Sequence, residues 1–264
     1  MKKILLLLSL FVSFAAFAAE QDSLKLGKSK KEATPEEQAI KQAKQAKRNE
    51  VEKKYQKFSK DRFAFDFIFS NWIYSKTDPK IIGGDLKPKW YSRGVNIYFS
   101  WDFRIKHSRF SFAPGIGYSC SNIYSRHELV DDDTAVAGTY LKALANPTDY
   151  KVNKITLQYL DIPIEFRIKT NPDKLDNCWK FAFGFKAGIR VDAHTKQTTK
   201  INNVTKVNVE RRFPDFNLFR FGPMIRIGYS SFNLTAYYGV LSVFKKDRGP
   251  KANEFAVGIS FNGL

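Results

Sequence analysis

Long apolar runs are what this sequence most lacks. Beyond the first 18 residues, no segment supplies the roughly 18 apolar residues a membrane helix requires. Only closed β-structure would then carry the mature chain through a bilayer. Cysteine is nearly absent, with Cys120 and Cys178 alone, and histidine is limited to His107, His127 and His194. These residues form no zinc-spaced set, and neither a phosphate-binding loop nor a dinucleotide fingerprint is present, so no metal or cofactor is implied. Acidic residues are also scarce: 26 Asp and Glu face 44 Lys and Arg, a formal net charge of +18. Such a balance often marks nucleic-acid binding. An export signal argues against that here, and turns attention to outer-membrane lipid, lipopolysaccharide phosphate, cell-wall polymer or an acidic protein partner.

Residues 1–18 read as that signal. Lys2 and Lys3 form the positive start, Ile4 to Phe14 the short apolar core, and Ala16 and Ala18 the small residues before a cut after Ala18. Loss of Lys2 and Lys3 takes the charge from +18 to +16. Residues 19–60 are then a charged periplasmic segment. Within it Thr34-Pro35-Glu36-Glu37 is a helix start, with Thr34 as N-cap, Pro35 in the first turn and Glu37 closing a capping box. The helix is predicted over about 34–58. Its apolar stripe is thin (Ile40, Ala43, Val51, Tyr55, Phe58), and Lys41, Lys44, Lys47, Arg48, Lys53, Lys54 and Lys57 occupy the other sides. That suits a solvated helix, or a basic surface helix against headgroups, peptidoglycan or a partner.

From Arg62 the period changes from helical to two. The plainest case sets Val95, Ile97, Phe99, Trp101, Phe103 and Ile105 on one face, with Asn96, Tyr98, Ser100, Asp102, Arg104 and Lys106 between them. Seven other segments alternate in the same way. The first begins with Phe63, Phe65, Phe67 and Phe69; the third has Phe110, Phe112, Ile116 and Tyr118 outward; the fifth runs from Trp179 to Val191. The sixth holds Phe219, Phe221, Ile225 and Ile227, the seventh Phe232, Leu234, Ala236 and Tyr238, and the eighth Phe255, Val257, Ile259 and Phe261. The fourth starts with Ile155, Leu157 and Tyr159 and then changes parity to Ile162, Ile164, Phe166 and Ile168. A bulge near Tyr159–Leu160 is predicted there.

Long connections (around 74–90, 125–152, 193–216 and 243–253) alternate with short ones at 106–108, 171–177 and 230–231. This is the pattern of an outer-membrane barrel with long outer loops and tight periplasmic turns. Small residues such as Gly115, Gly117, Gly184 and Gly188 lie on the polar face, as a crowded lumen requires. Trp72, Trp101 and Trp179 are placed near strand ends, where aromatic girdles sit. A soluble barrel would point the greasy face inward and put Asp102 and Arg104 outside. The expected fold is therefore all-β: an eight-stranded antiparallel up-and-down transmembrane β-barrel at 61–264, in the bacterial outer membrane, with both termini and a short helix in the periplasm. Cys120 falls at the outer end of one strand and Cys178 at the inner start of another, so no disulfide is expected.

An eight-stranded barrel is just wide enough for its own side chains. The inward set is expected to be Asp66, Asp102, Asp161 and Glu165 against Arg104, Arg167, Lys186, Arg190, Arg220 and Arg226. Unpaired charges there would be costly, which predicts a paired plug rather than a channel, with the basic excess leaving room for an anion. His127 and His194 lie in different outer loops, with Asp131-Asp132-Asp133 after the first. They read as solvated loop residues, although an Asp–His hydrolytic pair has the same ingredients. Asn203-Val-Thr205, Asp22-Ser-Leu24 and Asp133-Thr-Ala135 match short glycosylation patterns and read first as surface loops.

Phe110-Ser-Phe-Ala-Pro-Gly-Ile-Gly-Tyr118, Tyr159-Leu-Asp-Ile-Pro-Ile-Glu-Phe166 and Phe255-Ala-Val-Gly-Ile-Ser-Phe261 resemble the PorT-like outer-membrane β-barrel proteins over roughly residues 62–262. The resemblance implies the barrel fold and a connection with type IX protein secretion, and it brings no catalytic motif. One departure from many barrels is the ending Asn262-Gly263-Leu264, where Phe261 would supply the terminal aromatic. The expected function is non-enzymatic: a structural or interaction protein of the cell envelope, engaging a periplasmic or cell-surface protein. The alternatives are a small-solute or anion-passing barrel and a loop-borne hydrolase.

Overall fold

The computed structural model describes residues 35–58, 62–84, 86, 88–105, 108–132, 138–172, 174–201, 204–211 and 215–262. The signal segment, Thr34, His107, Asp133, Asn203 and the last two residues lie outside that set. A helix, α1, spans Pro35–Phe58 with Glu36 and Glu37 in its first turn, where carboxylates complement the helix dipole. Ile40 and Val51 on its thin apolar stripe are exposed.

The strands are β1 (Phe63–Tyr74), β2 (Ile81–Ile82), β3 (Arg93–Ser100), β4 (Phe103–Arg104), β5 (Phe110–Tyr124), β6 (His127–Asp132) and β7 (Gly138–Ala143). They continue with β8 (Tyr150–Lys169), β9 (Trp179–Ile201), β10 (Val204–Glu210), β11 (Phe219–Tyr229), β12 (Phe232–Ser242) and β13 (Ala252–Asn262). Eight of them form the closed wall: β1, β3, β5, β8, β9, β11, β12 and β13, each antiparallel to the next. The ring shuts because β1 pairs with β3 on one edge and with β13 on the other, from Ala64↔Asn262 to Tyr74↔Ala252. Closure leaves no edge within the wall, which is the condition for a sheet to sit in hydrocarbon.

The side-chain alternation decides which way each wall residue faces. On β1, Phe67 and Phe69 are exposed while Asp66, Ile68 and Ser70 are buried; on β11 the burial alternates without a break from Phe219 to Tyr229. The exposed set is almost wholly apolar and runs round the barrel, including Ile97, Ile116, Leu160, Ile162, Phe183, Phe221 and Leu234. Water would oppose such a surface; a bilayer core requires it.

Three expectations are corrected here. Trp72 does not belong to an outer girdle: it is inward and buried, edge-on to the Phe244 ring with centroids 5.6 Å apart. The fourth wall strand, β8, keeps its phase, since Ile155, Leu157, Tyr159, Asp161 and Glu165 are all buried on its inward face. The bulge expected at this level is present, but on the partner strand β9: Gln158 pairs with Asp192 and Tyr159 with Arg190, leaving Val191 as the extra residue. The apparent change of parity in β8 has another cause: the interior itself is apolar at the loop end. Finally, the long connections carry structure. β2, β7 and β6 form a separate three-stranded sheet, and β9 and β10 extend as a ribbon paired from Thr195↔Glu210 to Ile201↔Val204.

Candidate functional site in the barrel interior

The interior has two layers. The one nearer the tight turns is ionic. At its centre Arg220 grips Asp161 with two donors (Nε to Oδ1, 3.0 Å; Nη2 to Oδ2, 2.5 Å) and donates from Nη1 to Glu254 Oε2 at 3.0 Å. Asp161 also accepts from Ser119 Oγ and Tyr98 Oη. Glu254 Oε1 accepts from Ser121 (2.8 Å) and Ser70 (3.2 Å). The guanidinium carbon lies 4.0 Å from the Tyr159 ring centroid, in cation–π range. Gly188 makes this approach possible, because a Cβ there would sit 2.2 Å from Asp161 Oδ1.

A second cluster lies closer to the turns. Arg226 Nη2 is 3.3 Å from Asp66 Oδ2 and 3.7 Å from Glu165 Oε1; Arg167 Nε donates to Glu165 Oε2 at 2.7 Å, and Lys169 pairs with Asp102. Lys186 sits between the clusters, 3.8 Å from the Tyr237 ring centroid and donating to Tyr98 Oη at 3.3 Å. Eight of the ten expected residues thus lie in the buried interior, seven from wall strands and Asp102 from the link between β3 and β4. The other two differ. Arg104 is half-buried and its Nε donates to the Ser108 carbonyl at 2.8 Å. Arg190, also half-buried, donates to the carbonyls of Asn217 and Phe216 at 3.2 and 3.3 Å. Arg104 ends the short strand β4 and Arg190 lies just past the last β9–β11 pair, where these backbone carbonyls are within reach.

Three buried members lie outside the expected set; Lys180, near the start of β9, is one. The other two are Glu254, one residue before the expected eighth strand opens at Phe255, and Lys169, at the end of the fourth. Extending the period of two by one residue, backward from Phe255 and forward from Ile168, places both inside. Among the described residues, six buried bases of the interior (Arg167, Lys169, Lys180, Lys186, Arg220, Arg226) face five buried acids (Asp66, Asp102, Asp161, Glu165, Glu254).

The second layer, at the loop end, is apolar. Trp72, Ile123, Leu157, Phe216 and Phe244 from the wall and its connections pack with Leu129 and Leu141 of the loop sheet. Phe216 and Phe244 stack with ring centroids 4.6 Å apart. The cover is fastened at its rim by Asp215, which accepts from Thr139 N (3.0 Å), Thr139 Oγ1 (3.1 Å) and Arg248 Nε (2.9 Å). Burial opposes ionisation of Asp215, but the bonds from Arg248 and Thr139 outweigh it and hold its carboxyl below the ordinary range.

The histidines have distinct surroundings. His127 is buried rather than solvated: its Nε2 is 3.2 Å from the Gly84 carbonyl and its Nδ1 has no partner. Burial pushes its pKa down, against the smaller opposing effect of the Gly84 carbonyl. His194 lies on β9, its Nδ1 2.6 Å from Asp192 Oδ2. Among the described residues no group of three His, Cys, Asp or Glu is placed to hold a metal ion. Cys120 and Cys178 are both free thiols, as expected.

No curated protein matches the chain. Among solved structures, it is similar to Ail, the attachment invasion locus protein of Yersinia pestis. With the heparin analogue sucrose octasulfate, Ail aligns at 11% identity, covering 76% of this chain and 96% of Ail, with a TM-score of 0.31. The Ail structure described without it aligns at 11% identity over the same shares, with a TM-score of 0.30. The model of the outer membrane protein beta-barrel domain matches residues 54–245, most of the chain and most of the closed wall just described. The chain therefore belongs to the outer membrane protein beta-barrel domain family, and its apolar exterior is the surface that faces the lipid of that membrane.

Proposed function

We propose that this protein is a plugged, non-enzymatic barrel that serves the cell envelope by interaction rather than by transport or catalysis. The observation that carries this reading is the double filling of the lumen, with hydrogen-bonded ion pairs toward the turns and a packed aromatic layer under the loop sheet. Side chains locked in this way leave no mobile ligand-exchanging groups for a conduction path. The loops face the cell exterior in this reading, and both termini and α1 the periplasm, because an even number of wall strands returns the chain to the side on which it entered. The exposed β9–β10 ribbon, with Val204, Val207 and Val209 in solvent, and the basic helix are the surfaces open to partners. Resemblance to the PorT-like proteins makes secretion machinery the first partner class to test, by crosslinking in intact cells followed by mass spectrometry.

Planar-bilayer recording of the purified protein tests the plug. No steady conductance is expected; a stable, voltage-independent conductance step would overturn the reading and favour anion passage. Protease treatment of intact cells tests orientation separately, with cleavage expected within the β9–β10 ribbon and none within α1.

A further inference from the structure

The outer wall is not uniform round its circumference. On the loop side of the apolar belt, Arg93 on β3, Lys154 on β8 and Lys196 on β9 share the outward face. The register makes them neighbours: Arg93 pairs with Asn122, Asn122 with Thr156, and Lys154 directly with Lys196. Lys154 Nζ donates to Asn122 Oδ1 at 2.7 Å, and Arg93 and Lys196 both add like charge to its field. Among the described residues, none of the three forms an ion pair with a carboxylate; Asp192, on the same face, is held by His194. Like charges opposite one another across strands are destabilising. A row of this kind calls for a counter-charge from outside the chain.

Toward the turns, the same strands carry an apolar groove of about 870 Å³. Ile97, Ile116, Leu160, Ile162 and Phe219 line it. It extends from Phe63 on β1 to Leu241 on β12, six inter-strand spacings or roughly 28 Å. Cations at headgroup depth above a broad apolar groove match a lipid with several phosphates and several acyl chains better than a two-chain phospholipid.

We propose that this face binds lipid A of lipopolysaccharide, with its phosphates on Arg93, Lys154 and Lys196 and its acyl chains along the groove below them. The inference rests on the orientation given above, which places the row in the outer leaflet. Native mass spectrometry of the full mature protein, extracted in mild detergent, tests it against an R93Q/K154Q/K196Q variant, with heat-dependent gel mobility confirming that each is folded. Wild type should carry lipid A and the triple variant should retain it on the order of 100-fold more weakly, at ~1 kcal/mol per charge near a headgroup surface. Lys196→Gln alone, a milder change for the fold, should weaken retention roughly fivefold. Equal retention by wild type and variants overturns the site, as does specific loss of a glycerophospholipid in place of lipid A. The protease experiment reads orientation without reference to lipid, so a wrong orientation and a wrong lipid site give different results.

Discussion

At the scale of single residues, Arg220 carries the most. Three of its donors satisfy two buried carboxylates, so its removal leaves Asp161 and Glu254 without their ion-pair partner away from water. Arg220→Met is expected to destabilise the barrel by about 3–5 kcal/mol. Urea unfolding in micelles measures this, and adding Asp161→Asn and Glu254→Gln should restore much of the loss, because the cost lies in the orphaned charges. A normal midpoint for the single variant would show that water reaches this layer. Ser230 makes the opposite case. It holds φ at 55° in the two-residue turn between β11 and β12, a conformation that costs a side-chain-bearing residue about 1–2 kcal/mol. Ser230→Gly should raise stability by about 1 kcal/mol in the same assay, since the bond from its N–H to the Cys178 carbonyl (2.9 Å) is retained.

At the scale of elements, the loop sheet β2–β7–β6 behaves as a lid whose inner face is hydrophobic and whose one buried base is His127. Its folded pKa lies below the ordinary value of about 6.5. A base depressed in this way contributes stability that is complete above about pH 6.5 and is lost as pH falls toward the folded value. Acidification from pH 7.5 to 5.5 should therefore lower the amide protection factors of β6 and β7, once exchange is corrected for its intrinsic pH dependence, while leaving those of β11 and β12 unchanged. His127→Gln should flatten that pH dependence; an unaltered profile in the variant would assign the acid response elsewhere. The β9 bulge belongs to this scale too. By inserting Val191 it turns Ala193 and Thr195 inward, so that one long strand serves both the wall and the loop ribbon.

At the scale of the molecule, the arrangement is inverted relative to a water-soluble globule, with ions sequestered and Phe, Ile and Leu outside. Ile162, near the middle of the exposed belt and half exposed, is a direct probe. Ile162→Arg is expected to cost about 2–4 kcal/mol in lipid vesicles, measured by equilibrium unfolding from the bilayer. If the substitution is neutral there, Ile162 does not face the hydrocarbon core.

The period-two alternation by itself determined the eight wall strands, most of their inward and outward faces, and eight buried charged positions. That information is local: a residue's face follows from its parity and the sign of its neighbours' hydropathy. Hydropathy ceases to report the face where both faces are apolar, which is why Leu157 and Tyr159 were legible as hydrophobic but not as inward, whereas Trp72 is inward by the unbroken parity of β1. It is also silent on pairing. Nothing in the spacing of Arg190 or Arg104 distinguishes a partner carboxylate from a backbone carbonyl, and Glu254 acquires its role only when Arg220, Ser70 and Ser121, each from a different strand, converge on it. Tertiary structure decided those matters, because closing the sheet into a ring is what brings side chains from non-adjacent strands into one dry space.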